Sequence, residues 1–417
     1  MIGIKRITHS LIIVFGIWGG SIQAMNLLRP YDTLIRPDFY GDSKWQVALY
    51  GEAGLGTKAF CGDGEVCDAL RIWQPEQNAL KMLQGFPEDS PITQLRNQLD
   101  ADDNGKRGHF LVSSDFDLRY SAALAARVRF LKDFSFAAYL PFYSMELKNV
   151  HWHDQTEDIT DEDLRVKRLL TDDFFALVEE LGCGLDLCGW KRSGIGDLTL
   201  MLEWFRDFPQ AKPLLKNVFL NWRLGLALPT GKRADENKLF AIPFGNDGAT
   251  SLIFGFGLEL LFGTCFKAGV DVQLFHLFDT TRVRRIKTDK DQTELLLLEK
   301  AEVHTDYGLE QRFNLFFQFY RFYHGLSFKV GYQFFKRGDN HISLVCNDFS
   351  NVIAQTAVAL EDFTMHEIIP KLTYDFCLNE PDDLYARPNI SLYMRLPFNG
   401  KRAVLARTIG VVLAVDF

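Results

Sequence analysis

The last fifteen residues, Ala403 to Phe417, restrict the fold more than any other stretch of the chain. Counting back by twos from Phe417 gives Val415, Leu413, Val411, Ile409, Arg407 and Leu405, and the other parity gives Asp416, Ala414, Val412, Gly410, Thr408 and Ala406. One set is apolar and the other small or polar. A period of two sustained this far describes a strand whose two faces meet different media. An edge strand of a soluble sheet would alternate too. This one is long enough, at about 2.5 Å of depth per tilted residue, to cross a bilayer, with Arg407 roughly 25 Å above Phe417 near the far interface.

The opposite end of the chain narrows the alternatives. Lys5 and Arg6 precede the apolar run Leu11 to Trp18, then Gly19, Gly20 and Ser21-Ile-Gln-Ala24. That order reads as a secretory signal peptide over residues 1–24, with cleavage after Ala24. The apolar run is shorter than the roughly 20 residues a spanning helix needs, and no later segment reaches that length. An exported chain of this kind can be integral to a membrane only as a closed barrel, because lipid leaves no other way to pair the backbone. The terminal strand closing on Phe417 resembles the assembly signal of bacterial outer-membrane β-barrels, which implies the barrel-assembly machinery, outer-membrane lipid and lipopolysaccharide as partners in a Gram-negative envelope.

Alternation recurs along the chain. Strand candidates are 45–55, 116–130, 134–148, 197–206, 217–228, 250–262, 265–279, 306–320, 324–336, 364–377, 388–398 and 403–417, about twelve in all. Connections after the even-numbered strands are mostly short, and those after the first, third, fifth, seventh and ninth are long. This segregation predicts an all-β fold, a transmembrane antiparallel up-and-down barrel with long outer loops carrying short helices and both termini on the short-turn side. Residues 25–43, broken by Pro30 and Pro37, form a periplasmic or lumenal N-terminal segment, and residues 44–417 form the barrel with insertions near 56–108 and 149–193. The first insertion suggests a helix around Glu76 to Gln84. In the second, Thr160 to Asp163 form a capping box ahead of an apolar stripe from Leu164 to Leu181, a helix that needs a partner. Leu70, Trp73, Leu80, Met82 and Leu83 of the first insertion offer one, so the two insertions are expected to cap the barrel mouth.

Composition agrees with a membrane barrel. The 36 Phe suit aromatic girdles, and a mean hydropathy of -0.07 is what alternation produces. A net charge of -8 lacks the basic footprint that nucleic-acid binding requires.

Two fragments carry a further resemblance: Ser193-Gly-Ile-Gly-Asp-Leu198, and Leu224-Gly-Leu-Ala-Leu-Pro-Thr-Gly231 followed by Phe254-Gly-Phe-Gly257. Over residues 190 to 335 they resemble the outer-membrane proteins of the meta-pathway of phenol degradation, a family related in style to the fatty-acid-transporter barrels. The resemblance implies uptake of small, often hydrophobic molecules. Gly and Pro also mark strand ends in any barrel.

Cys61 with Cys67, and Cys183 with Cys188, lie in predicted outer loops and read as disulfides of an exported protein, paired within or between loops. Asp100-Ala-Asp-Asp-Asn-Gly105 matches the start of a calcium loop but has Leu111 where the bidentate Glu belongs, so it reads as a solvated acidic turn. His151 and His153 share a strand face without further ligands at metal spacing. Neither cofactor nor metal follows from the sequence. No Ser/His or Asp/His set suggests a nucleophile, so an enzyme is not the reading.

Turning the polar parity inward places Arg119, Arg127, Arg129, Asp197, Glu203, Arg223, Glu259, Lys267, Asp271, Glu310, Arg312, Lys329, Lys371 and Arg395 along the pore. Mixed charge of this kind supports salt bridges more than ion selectivity. The sequence therefore points to an outer-membrane channel or transporter for passive passage of small, hydrophobic or other, solutes. The alternative is a structural or surface-binding barrel without transport.

Overall fold

A computed structural model describes residues 25–39, 43–377 and 386–417. The signal-peptide reading of 1–24 lies outside these residues. Twelve antiparallel strands make a closed barrel: β1 (Trp45–Phe60), β2 (His109–Leu131), β3 (Phe134–Asp154), β4 (Leu198–Pro209), β5 (Leu215–Leu228), β6 (Ser251–Phe262), β7 (Phe266–Leu277), β8 (Glu310–Tyr323), β9 (Leu326–Arg337), β10 (Phe363–Asp375), β11 (Arg387–Lys401) and β12 (Ala403–Asp416). The segment Trp190–Ile195 extends β4 along β3. Closure is explicit, because β1 pairs both with β2 and with β12, from Gln46 opposite Asp416 to Phe60 opposite Ala403. Phe417 completes the last rung, its N–H donating to Trp45 O at 2.8 Å.

The pleat sorts side chains as the alternation predicts. Leu49, Leu124, Leu140, Phe254, Phe256, Phe317, Leu392, Ile409, Val411 and Leu413 are exposed on the outer wall, while Tyr50, Glu52, Thr408 and Val412 are buried inside. An apolar belt this continuous has no place in water. Gly410 shows how tightly the inner wall is built. A Cβ there would lie 2.2 Å from Tyr393 Cζ, so the tyrosine ring occupies the space of the missing side chain while its hydroxyl donates to Glu52 at 3.0 Å.

Connections at 132–133, 210–214, 263–265 and 324–325 are short, and those at 61–108, 155–189, 229–250, 278–309 and 338–362 are long. The strands β2 and β3 run past the predicted strand limits at their cap ends, β2 starting at His109 and β3 ending at Asp154, so 149–154 of the second expected insertion is strand. In the first insertion the helix is Pro91–Leu99, started by Ser90 capping Thr93 N at 3.1 Å, while 76–84 holds only a bridge and a 3-10 turn. Pro91 fits the first helical turn, where its missing N–H costs nothing. The second helix forms as Asp161–Val166 and Phe174–Leu181 around a wider turn at Lys167–Thr171, and Thr160 and Asp163 make the reciprocal cap. Its stripe is Val166, Leu170, Phe174 and Val178, four residues apart and buried, whereas Leu164 is exposed. Phe174 stacks on Phe110 at 4.3 Å and meets Trp152 at 5.6 Å. Leu70, Trp73, Leu80, Met82 and Leu83 join the same apolar cluster. A three-stranded sheet of Thr280–Arg285, Lys300–Asp306 and His341–Leu344 completes the cap over the long-loop end.

Two expectations are corrected here. Cys61 and Cys67 are bridged, but Cys183 and Cys188 are free and exposed. The reason is local: Leu185 and Leu187 are drawn into the cap core and Asp186 bridges to Lys238, so the intervening chain is laid out flat and does not fold back on itself. Arg119 does not face the lumen. It is the extra residue of a bulge, with Leu118 opposite Met145 and Tyr120 opposite Ser144, and it is exposed beside Glu146 at 3.4 Å. The bulge reverses the parity, so Phe116 and Leu118 point inward above it and Ser121 and Arg127 below it.

Gly410→Val should lower stability by about 1–3 kcal/mol, because Tyr393 must leave its seat and abandon Glu52. Urea titration followed by the gel shift between folded and unfolded barrel measures this, and an unchanged midpoint would show that the ring moves freely.

Candidate functional site

The lumen is the site, and residues 25–39 occupy it. This segment forms no helix or strand, and apart from Arg29 O and Asp32 O, which close turns within it, its carbonyls need donors from elsewhere. The barrel wall supplies them. Arg395 donates to Asn26 O, Tyr143 to Leu28 O, Tyr50 to Pro30 O, Lys329 to Thr33 O, Lys371 to Ile35 O and Arg36 O, Arg127 to Pro37 O and Gln46 to Asp38 O. The segment therefore runs along the bore, with Phe39 under Arg127 and Arg129 at the short-turn end and Met25 further in.

Its side chains pair with the wall as well. Arg29 binds Glu310 at 2.8 Å and lies 4.5 Å from the Phe275 ring centre; Asp32 accepts from Arg312 at 3.2 Å and from Gln333 at 2.6 Å. Arg36 pairs with Glu203, which also takes Arg127 at 2.7 Å. Thr33 donates to Asp271, the partner of Arg223. Asn26 donates to Gln333 at 2.8 Å and to Glu367 at 3.3 Å, and Glu367 holds Arg395. Tyr31, Leu34 and Ile35 are buried between these polar tiers.

Arg127, Arg129, Glu203, Arg223, Glu259, Lys267, Asp271, Glu310, Arg312, Lys329, Lys371 and Arg395 are all carried on the inward face, Arg127, Glu203 and Arg312 being among those almost wholly buried. They do not line an open water column. Most are committed to the inserted segment or to each other, and Lys267 lies 4.1 Å from the Tyr320 ring centre. Glu52, Asn314, Gln333 and Glu367 belong to the same network and were missed by sequence reasoning; for Glu367 the signal was present, since it shares its parity with Ile369 and Lys371. Two cavities adjoin the segment. A cavity of ≈ 430 Å³ at the short-turn end is lined by Asp38, Phe39, Arg321, Lys329, Lys371 and Arg387, and one of ≈ 40 Å³ lies beside Tyr31, Tyr143 and Asp197.

Asp197 has a different task. Its carboxylate accepts from Gly231 N at 2.9 Å and Asn246 N at 2.5 Å, while Thr230 Oγ1 accepts from Leu198 N at 2.9 Å and donates to Gly196 O at 3.0 Å. The two glycine-bearing fragments of the sequence thus lock together at the top of β4 and β5. Gly245 is required there, since a Cβ would fall 2.3 Å from Asp197 Oδ2. The acidic turn at 100–105 is likewise internally bonded, with Asp103 accepting from Gly105 N and Asn78. His151 and His153 both face solvent.

No family model and no curated protein matches this sequence. Among solved structures it is similar to an outer-membrane channel from Pseudomonas putida F1, at 10% identity and TM-score 0.48 over 91% of this chain and 100% of that one. It is also similar to a FadL homologue from Pseudomonas aeruginosa, at 10% identity and TM-score 0.30 over 90% of each chain. A third is the toluene transporter TodX of Pseudomonas putida, at 10% identity and TM-score 0.29 over 96% of each. The strand pairing of this chain, and not these likenesses, defines its fold.

Glu203→Gln leaves Arg36 and Arg127 without their carboxylate, and should cost about 3 kcal/mol of stability while the barrel still folds. A loss below about 1 kcal/mol in urea titration would mean that water already screens the triad. In the cap, hydrogen bonding with Thr160 and then with Arg107 holds the Asp163 carboxyl down at about 2. A depressed carboxylate contributes stability above its ordinary value near 4 that is lost as pH falls toward 2. The protection factors of the amides from Leu164 to Leu170, corrected for the intrinsic pH dependence of exchange, should therefore fall between about pH 4 and 2, and pH-independent protection would refute the coupling.

Proposed function

We propose that this protein is an outer-membrane barrel that passes small solutes passively, with residues 25–39 as the element that closes it. One observation carries the reading: the bore bears polar and charged side chains along its length, among small and aromatic ones, and what fills it is a separate, irregular segment held by side-chain bonds. A segment held this way can leave the bore without breaking any strand pairing, as the closing element of a channel must. The apolar belt supports placement in lipid, with the short turns on the periplasmic side and the cap outside.

Passage of hydrophobic solutes is the finer form of this reading. It draws support from the interlocked fragments around Asp197 and Thr230, which underlie the resemblance to the phenol meta-pathway outer-membrane proteins, and from the toluene transported by one structural neighbour. Lipopolysaccharide around the outer rim and the barrel-assembly machinery acting on Phe417 are the partners it implies; Phe417 is solvent-accessible at the last rung. The competing reading, a surface-binding barrel without transport, is favoured by the completeness of the apolar cap.

Single-channel recording separates the two. The intact protein should show small or rare conductance steps, and deletion of 25–39 should produce steady steps several times larger in a barrel that still shifts on heating. A folded deletion variant with no conductance would overturn the channel reading and leave the surface-binding one.

A further inference from the structure

Strand register sorts the mixed charges of the bore, and one rung of the wall carries a single sign. Lys267 on β7 stands opposite Gln318 on β8, Gln318 opposite Lys329 on β9, and Lys329 opposite Lys371 on β10. Gln318, Lys329 and Lys371 are buried on the inner face, and Lys267 shares the inward parity of Asp271. Neighbouring strands lie about 4.8 Å apart, so Lys329 and Lys371 adjoin directly and Lys267 is two strands, roughly 10 Å, from Lys329. Like charges set directly across a strand pair repel. Such an arc of lysines needs an anion in front of it.

The inserted segment answers that need in part. Lys371 donates to Ile35 O at 2.9 Å and Arg36 O at 2.8 Å, Lys329 reaches Thr33 O at 3.4 Å, and Lys267 lies 4.1 Å from the Tyr320 ring centre. An ammonium has three N–H donors, so one on Lys371 and two on Lys329 remain. Asp38 feels the charge of all three lysines, and Glu259 that of Lys267, yet no ion pair joins them among the described residues. The other charges at this end are matched: Arg321 pairs with Asp375 at 2.8 Å, and Arg387 faces Asp416 across β11 and β12. Three ammonium groups against the two carboxylates of Asp38 and Glu259 leave one positive charge in excess, and two wherever Asp38 withdraws.

Beside the arc lies the cavity of ≈ 430 Å³ at the short-turn end, with Lys329, Lys371 and exposed Asp38 in its lining. One water takes about 10–15 Å³ of such space, so a compact anion fits there with part of its hydration shell. We propose that this cavity binds a small oxyanion of the sulfate or phosphate type, whose oxygens take the remaining N–H donors of Lys329 and Lys371 and whose charge Lys267 helps to balance. Hydrogen bonds between ionised partners are the strong ones, and a tetrahedral anion offers acceptors in several directions to two flexible ammonium groups. Apolar and cationic solutes gain nothing from these donors. The inference goes beyond passage itself and stands whether or not the bore conducts.

The test is equilibrium dialysis of the full protein, in an uncharged detergent free of phosphate, against radiolabelled sulfate at about pH 6, where lysines are charged. Binding should saturate near one sulfate per barrel with a dissociation constant on the order of 1 mM. Unlabelled phosphate should displace the label, and chloride at equal ionic strength should not. Lys371→Gln should weaken binding about tenfold, and Lys267→Gln, which removes charge but no bond to the segment, about threefold. Asp38→Asn keeps the Gln46 bond to the residue-38 carbonyl and should tighten binding about fivefold, a gain that damage to the fold does not produce. Gel mobility before and after heating checks that each variant is folded; should Lys371→Gln fail, Lys267→Gln and Asp38→Asn decide. No saturable binding, displacement by chloride as readily as by phosphate, lysine variants that bind as the parent does, or an Asp38→Asn affinity unchanged or lowered would each overturn the proposal.

Discussion

Everything in this molecule follows from the seam between β1 and β12. A chain that crosses lipid as strands must pair every backbone N–H and C=O with a neighbour, and an open edge is not tolerated. Residues 46 to 60 against 403 to 416 remove that edge, with Phe417 and Trp45 adding the final rung. Closure in turn creates a bore, and a twelve-strand bore is too wide for its own side chains to fill with an apolar core. The polar inner face is the result, and the inserted segment is how its charges find partners.

The inner network explains why the barrel was legible in the sequence and its contents were not. Period-two alternation is local, so all twelve strands could be read from neighbouring residues, and the segregation of loop lengths gave the topology. Ion pairs such as Arg29 with Glu310 or Arg36 with Glu203 join residues 281 and 167 positions apart and leave no periodic trace. Arg119 was placed inward because alternation carries no mark of a bulge until the partner strand is known. The free Cys183 and Cys188 make the same point about spacing: proximity in sequence does not bring thiols together when Leu185 and Leu187 between them are claimed by a core.

The cap is built on opposite chemistry to the bore. Phe110, Trp152 and Phe174 cluster above the rim, supported by β2 and β3 where these continue past the other strands. The stripe on the 161–181 helix could be read as needing a partner, and the first insertion does supply part of it. The remainder comes from Phe110 and Trp152, strand residues that lie outside the predicted strand limits.

The inserted segment is also covalently attached a short way from the wall it fills. Phe39 and Trp45 are only six positions apart, so a segment displaced from the bore stays within a volume set by a few residues of chain. Its local concentration there is on the order of millimolar or higher. Return is then a first-order event, independent of how much protein is present, and an outside competitor at micromolar levels cannot hold the bore open by occupying the same wall groups. Any opening of the intact chain is consequently brief unless something draws on the segment itself.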